Sequence, residues 1–92
     1  MADYKISRVA EEDIIRIFQY GVKQFGLTQA EKYYNKLFDH FETIAKSPYA
    51  FEAVDYIKLG YRRCPCVSNS IYYCVQSDGV EIMTIVGHQD FG

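Results

Sequence analysis

The 92-residue sequence predicts an α+β domain in which two helices cover one face of a mainly antiparallel four-stranded sheet. Two observations carry this prediction. The first half holds two amphipathic segments whose apolar residues recur three and four positions apart, whereas the second half holds alternating, aromatic-rich segments divided by turn residues. A short alternating segment also precedes the first helix. The predicted order is therefore β-α-α-β-β-β, within a single domain that spans residues 1–92.

The N-terminal third begins with a short strand over residues 4–6, followed by a helix over residues 11–25. Ser7 offers a side-chain oxygen that caps the start of this helix, and Gly26 is expected to end it in a left-handed conformation. The apolar face of the helix consists of Ile14, Ile15, Ile17, Phe18, Val22 and Phe25, together with Gly21.

A second helix is predicted to start at Thr28, because Thr28 and Glu31 have the spacing of a capping box. Ser47-Pro48 ends it, since the residue before a proline disfavours helical geometry. Only two residues separate the helices, so they should pair as an antiparallel hairpin. The apolar face of the second helix consists of Ala30, Tyr33, Tyr34, Leu37, Phe38, Phe41, Ile44 and Ala45. Core packing explains these aromatic residues most simply, and a partner-binding groove is the alternative.

The second half is interpreted as a loop over residues 47–55 and three strands over residues 56–63, 70–76 and 80–86. Ser77-Asp78-Gly79 provides turn chemistry between the last two strands. Along the middle strand, alternation places Tyr72, Cys74 and Gln76 on one face and Ile71, Tyr73 and Val75 on the other. Because both helices cover one face of the sheet, the other face is expected to remain an open surface.

Charge and cysteine content exclude several classes of function. Ten basic and twelve acidic residues give a net charge of −2, without the basic excess of nucleic-acid-binding proteins. There is no signal peptide and no apolar run of membrane length, so we expect a cytoplasmic chain with reduced thiols. Cys64-Pro65-Cys66 lacks the spacing of a zinc site, so no metal or cofactor is expected. We place these two cysteines on opposite faces of a strand end and Cys74 in a core strand.

Eight short motifs occur in order along nearly the whole chain, each of them weak alone. The motifs are Ser7; Ala10 with Asp13; Phe25-Gly26; Gln29-Ala30 with Tyr33; Pro48; Gly60-Tyr61-Arg62; Tyr72-Tyr73; and His88-Gln89-Asp90. In this order the chain resembles the RelE/ParE superfamily of bacterial toxins, and the ParE branch more than the RelE branch.

The resemblance implies the toxin component of a type II toxin-antitoxin system. A ParE-like toxin inhibits DNA gyrase by binding it, without catalysis, and is neutralised by a ParD-like antitoxin in a hetero-oligomer. The residues expected to bind the target are Tyr61, Arg62, Arg63, His88 and Phe91. Those expected to bind the antitoxin are Tyr34, Phe38, Phe41 and Tyr72.

Two other functions remain open at this point. A RelE-like ribosome-dependent endonuclease needs basic and tyrosine side chains for proton transfer and phosphate stabilisation. Here the segment 71–73 lacks the arginine of that branch, and Gln89 stands where another is expected. A non-toxic homologue that only binds an antitoxin is the third possibility, since relatives often continue beyond the final aspartate.

The single residues also have structural alternatives. Arg62 or Arg63 could form an ordinary ion pair with Asp55 or Glu81. His88 is interpreted as a packing or capping residue at a strand end rather than as a catalytic base.

Overall fold

The computed structural model describes residues 3–87 and has the predicted α+β architecture, with five strands in place of four. Both helices lie on one side of the sheet. The elements are β1 (Tyr4–Ile6), α1 (Arg8–Phe25), α2 (Leu27–Lys46), β2 (Glu52–Ala53), β3 (Tyr61–Cys66), β4 (Asn69–Gln76) and β5 (Gly79–Gly87). Neither helix among the described residues is long and apolar enough to cross a membrane.

The sheet has the strand order β1-β5-β4-β3-β2. β5, β4, β3 and β2 pair antiparallel in succession, whereas β1 pairs parallel with β5. A parallel pair needs a crossover connection, and the helical hairpin is part of that connection. The first strand is therefore fixed beside the last one, and α1 starts directly over β5.

The region before β3 differs from the prediction. A two-residue strand, β2, lies within the segment expected to be a loop, and β3 begins at Tyr61 rather than at residue 56. Tyr56, Ile57 and Leu59 favour a strand by residue type, but the backbone forms a tight turn there. The Gly60 amide donates to the Asp55 carboxylate at 2.8 Å, and Gly60 has a φ of 84°, which glycine adopts without strain.

The helix termini confirm one predicted cap and contradict another. The Ser7 hydroxyl oxygen accepts a 3.0 Å hydrogen bond from the Ala10 amide, as expected of an N-cap. The Thr28 capping box is wrong, because α2 already begins at Leu27 and no side chain caps it. Gly26 has a φ of 91° and a ψ of 165°, so it is extended rather than left-handed helical as predicted, and it alone separates the helices, where two residues were predicted.

The core lies between the helical hairpin and the central strands. Phe41, Leu37 and Ile44 of α2 are buried against the sheet, and Tyr73 is the largest fully buried side chain. The Tyr73 hydroxyl donates a 2.6 Å hydrogen bond to the Pro48 carbonyl oxygen, which satisfies its polar atom inside the core. The remaining core side chains include Ala10, Ile14, Cys64, Cys66, Ile71, Val80, Ile82 and Ile85.

A β-bulge in β5 connects the sheet to the start of α1. Tyr72 pairs with Thr84 and Tyr73 pairs with Ile82, so Met83 is an extra residue without a partner on β4. The Ser7 hydroxyl donates to the Met83 carbonyl oxygen at 2.8 Å. Residues at the start of α1 therefore satisfy backbone groups that the bulge removes from the sheet ladder.

The Asp13 carboxylate is the second connection to this bulge. Its Oδ2 atom accepts hydrogen bonds from the Thr84 hydroxyl at 2.7 Å and from the Ile85 amide at 3.0 Å. Its Oδ1 atom lies 3.1 Å from the guanidinium of Arg16, and the Asp13 side chain is only 15% exposed. Asp13 thus holds α1 on β5 through charge-assisted hydrogen bonds.

Replacing Asp13 with alanine should lower the free energy of unfolding by about 1.5–3 kcal/mol, the range for a hydrogen bond to a charged group. The Ile85 amide would lose its acceptor in a site with little water. Glu12→Ala is the matched control, since Glu12 is exposed in the same helical turn. Urea unfolding of both variants measures the difference, and equal losses would contradict the role given to Asp13.

Candidate partner-binding surfaces

An apolar groove lies between the C-terminal half of α1, the N-terminal half of α2 and the turn between β3 and β4. We call it the helix groove, and its volume is about 620 Å³. The side chains that line it are Ile14, Arg16, Ile17, Phe18, Tyr20, Gly21, Phe25, Gln29, Ala30, Tyr33, Tyr34, Leu37, Val67, Ser68 and Asn69. Most of this lining is apolar, so the groove suits an apolar occupant.

The rim of the helix groove exposes large apolar side chains to solvent. Phe25 is 68% exposed and Val67 is 69% exposed, and Tyr20 is also exposed. At the floor, a Cβ atom added to Gly21 would lie 3.4 Å from the Cβ of Ala30, which shows how closely the helices approach there. Small residues at the helix contact and large residues at the rim together form the concave shape.

A series of aromatic rings runs from the helix groove into the core. Tyr34 lies between Phe18 at 5.9 Å and Phe38 at 4.7 Å, measured between ring centroids. Phe38 then contacts Phe41 at 5.1 Å, and Phe41 contacts Tyr4 at 5.6 Å. Aromatic pairs of this kind contribute about 0.5–1.5 kcal/mol each beyond the burial of their surface, so they stabilise the groove floor.

The four residues predicted to bind an antitoxin do not lie on one surface. Tyr34 is 40% exposed and lines the groove, and Phe38 is half-buried behind it. Phe41 has no exposed surface, so it supports the groove from within the core and cannot line it. Tyr72 is half-buried on β4, where its buried neighbours Ile71 and Tyr73 face the helices. Tyr72 therefore faces the opposite side of the sheet.

Polar groups close the groove at the end of β3. The Tyr33 hydroxyl donates a 2.9 Å hydrogen bond to the Cys66 carbonyl oxygen and accepts one from the side-chain amide of Asn69. Burial raises the pKa of Tyr33 to about 12 and outweighs the lowering effect of Asn69. This tyrosine is thus a neutral, bonded wall of the groove rather than a source of charge.

The two arginines predicted to bind the target are both bonded within the chain. The Arg62 guanidinium donates to the Phe51 carbonyl oxygen at 2.6 Å and lies 4.9 Å from the centroid of the Tyr49 ring. Arg63 forms a 3.1 Å ion pair with Glu52 and donates to the Ser70 hydroxyl at 3.0 Å.

The partner of Arg63 differs from the sequence alternative, which named Asp55 and Glu81. Asp55 accepts from the Gly60 amide, and Glu81 accepts from the Gln76 side-chain amide at 2.8 Å. The strand β2 explains the difference, because the sequence did not predict it and it places Glu52 directly opposite Arg63. Among the other target candidates, Tyr61 is half-buried on β3, whereas His88 and Phe91 lie outside the described residues.

Cys64 and Cys66 belong to the hydrophobic core, whereas Cys74 is half-buried on β4. Cys64 and Cys66 are two positions apart on β3, so they share a face and are both fully buried, which corrects their predicted placement on opposite faces. Burial raises the pKa of the Cys64 thiol to about 11. Cys66 lies 3.7 Å from Nδ1 of the half-buried His40. Within residues 3–87 no group of three or more histidine, cysteine or carboxylate residues could hold a metal ion.

A family model for the ParE toxin of type II toxin-antitoxin systems, parDE, matches residues 4–90. The chain belongs to the ParE toxin family. Toxin ParE1 of Caulobacter vibrioides is 34% identical over 89 residues, which cover 97% of this chain and 91% of that toxin. Toxin ParE1 of Mycobacterium tuberculosis is 29% identical over 86 residues, which cover 94% of this chain and 88% of that toxin.

The fold of this ParE family member also matches solved structures. A chain described as the chromosomal ParDE toxin-antitoxin system from P. aeruginosa superposes with a TM-score of 0.82 at 18% identity, covering 95% of this chain and 96% of that chain. A conserved hypothetical protein from Helicobacter pylori superposes with a TM-score of 0.59 at 14% identity and covers 97% of both chains. At these identities the structural matches establish the shared fold.

Sequence reasoning missed the residues at the rim of the helix groove. Phe25 appeared as a member of the apolar face of α1, and Val67 lies between the predicted strands 56–63 and 70–76, where it was not singled out. Val67 has a φ of 56°, a value that is unfavourable for a β-branched residue. No sequence pattern announces this conformation. Exposure at Phe25 could have been suspected, because it is the last residue of the helix and lies beside the turn at Gly26.

The stability of the fold should fall in alkaline solution. Burial raises the pKa of Cys64 from 9.0 to about 11 and the pKa values of Tyr33 and Tyr73 from 10.0 to about 12. Between pH 9 and 12 the unfolded chain therefore loses protons that the folded chain retains, so the free energy of unfolding decreases as pH rises.

Chemical unfolding measured across this pH range tests the prediction, with tyrosine ionisation followed by ultraviolet absorbance. Tyr33→Phe should make the dependence above pH 10 less steep, because it removes one of the two tyrosines whose pKa is raised to about 12. A flat profile for the unmodified chain would contradict the burial of these groups.

Proposed function

We propose that this ParE family member inhibits DNA gyrase by binding it, and that a ParD-like antitoxin neutralises it by placing an amphipathic helix in the helix groove. The observation that carries the antitoxin part is the groove itself. An apolar cleft of about 620 Å³ with rim residues Phe25 and Val67 more than two-thirds exposed needs an apolar partner to cover it.

The family supports the identity of this partner. Family members are toxins of type II toxin-antitoxin systems, and the P. aeruginosa structure is described as a ParDE system. Antitoxin segments that order on binding suit a groove whose floor is already packed, because the toxin side then has little left to order. The complex of toxin and antitoxin is thus a hetero-oligomer.

The arginine contacts argue against ribonuclease catalysis. Arg62 is bonded to a backbone carbonyl and stacked on Tyr49, and Arg63 is paired with Glu52. A cation that stabilises a reacting phosphate must be free to contact it in the transition state. Both guanidinium groups instead hold the 49–53 segment against β3.

Purified chain should inhibit gyrase supercoiling or trap gyrase-cleaved DNA, and equimolar cognate antitoxin should reverse the effect. A parallel assay with ribosome-bound message should give no cleavage. Cleaved message with intact gyrase activity would place the chain among ribosome-dependent endonucleases. Inactivity in both assays, with antitoxin binding retained, would indicate a homologue that only binds its antitoxin.

Replacing Val67 with glycine should stabilise the free toxin while weakening its complex with antitoxin. Glycine removes backbone strain of about 1–3 kcal/mol at the positive φ. It also removes an apolar side chain whose burial is worth about 1.5 kcal/mol, so the dissociation constant should rise about tenfold.

Ser68→Gly is the matched control, since Ser68 also lines the groove but does not share the positive φ of Val67. It should not stabilise the toxin and should change antitoxin affinity little. Thermal unfolding and isothermal titration calorimetry give the two readouts. Unchanged antitoxin affinity of the Val67 variant would remove the β3–β4 turn from the antitoxin site.

A further inference from the structure

The turn between β2 and β3 exposes a second apolar surface that the antitoxin proposal does not use. We define the β2–β3 turn as residues 54–60. Within it Tyr56 is 79% exposed, Ile57 is 54% exposed and Leu59 is 86% exposed. Three large apolar side chains within four residues are thus exposed to solvent, and exposed apolar surface of this kind marks interaction sites.

The backbone of this turn is fixed by hydrogen bonds. The amides of Ile57 and Lys58 donate to the Val54 carbonyl oxygen at 2.8 and 3.1 Å, and the Val54 amide donates to the Tyr61 carbonyl oxygen at 2.8 Å. Val54 itself is fully buried. The hydrogen bond from the Gly60 amide to the Asp55 carboxylate completes the turn. The exposed side chains are therefore held on a rigid support, which lowers the entropic cost of docking a partner.

The β2–β3 hairpin, residues 52–63, carries three basic and two acidic side chains, a net charge of +1 in a chain of net charge −2, which favours an acidic partner. The Asp55 carboxylate accepts from the Gly60 amide, and the Glu52 carboxylate is paired with Arg63. The Lys58 ammonium lies 5.6 Å from the centroid of the Tyr61 ring.

The β2–β3 turn and the helix groove lie at opposite ends of β3. The turn precedes Tyr61, and the groove is closed by Val67–Asn69 after Cys66. A six-residue strand spans roughly 17 Å at about 3.3 Å per residue. Substitutions in the turn therefore act on one surface without altering the other.

We propose that the β2–β3 turn is the surface through which the toxin contacts its target protein, and that it binds an apolar segment of that protein flanked by carboxylates. This inference rests on the proposed function, since it assigns a contact surface to the same inhibitory interaction. The apolar side chains supply the buried contact, and Lys58 selects the acidic flank.

The test compares Tyr56→Ser/Leu59→Ser with the control Val9→Ser/Ile15→Ser, whose side chains are 55% and 58% exposed on α1. Purified gyrase with plasmid DNA is the probe, growth arrest on expression is the second readout, and calorimetry with the cognate antitoxin is the third. The amount of the turn variant needed to inhibit gyrase or to arrest growth should be about tenfold higher or more than for the unmodified chain. Its antitoxin affinity should stay within about twofold, as should all properties of the control.

A charge reversal tests the acidic flank. Lys58→Glu should weaken inhibition and reduce its dependence on salt, whereas Lys5→Glu makes the same change at an exposed position on the opposite edge strand and should have no effect. If both lysine variants inhibit gyrase equally, the proposal that the bound segment is flanked by carboxylates is wrong.

Each remaining outcome also decides the proposal. A turn variant that inhibits like the unmodified chain overturns it, and so does a parallel loss of antitoxin affinity, which makes the turn an antitoxin contact. Sedimentation that shows self-association relieved by the turn substitutions would identify a second copy as the occupant. If gyrase is unaffected but growth arrest persists, the gyrase proposal fails and the growth readout still tests the turn. If the unmodified chain neither inhibits gyrase nor arrests growth, the gyrase proposal and the proposal for the turn are both wrong.

Discussion

The β-bulge at Met83 and its bonds to the start of α1 determine how the layers of this domain meet. An extra residue in β5 removes backbone groups from the sheet ladder, and Ser7 and Asp13 bind the groups that result. The same serine caps α1, so one side chain both starts the helix and fixes its position over β5. Parallel pairing of β1 with β5 brings that serine to the bulge.

This anchoring has consequences at both ends of the sheet. With α1 held at its start and reversed at Gly26, α2 is directed across the sheet, and the far end of the hairpin leaves the helix groove open above the β3–β4 turn. The β2–β3 turn emerges at the other end of β3, away from that groove. One short strand thus separates the proposed antitoxin surface from the proposed target surface, so binding of each partner can be altered by its own substitutions.

Local patterns predicted the elements whose formation depends on neighbouring residues. Helical periodicity identified both helices, and the serine cap and the alternation of β4 were also evident in the sequence. The family motif containing Asp13 marked an important residue, although its bonds to Thr84 and Ile85 join positions more than seventy residues apart. Strand β2 depends on pairing with β3, and the positive φ of Val67 is a strained backbone conformation, so neither follows from a local sequence pattern. Residue type at Tyr56 and Ile57 favoured a strand, and hydrogen bonds to Val54 and Asp55 decided otherwise.

The most direct test of this account is an amide chemical-shift map of the labelled toxin titrated with its cognate antitoxin. The account predicts the largest changes at the C-terminal half of α1, the N-terminal half of α2 and residues 67–69, with residues 56–59 unaffected. Changes confined to the sheet face that carries Tyr72, or to the β2–β3 turn, would contradict the assignment of the helix groove to the antitoxin.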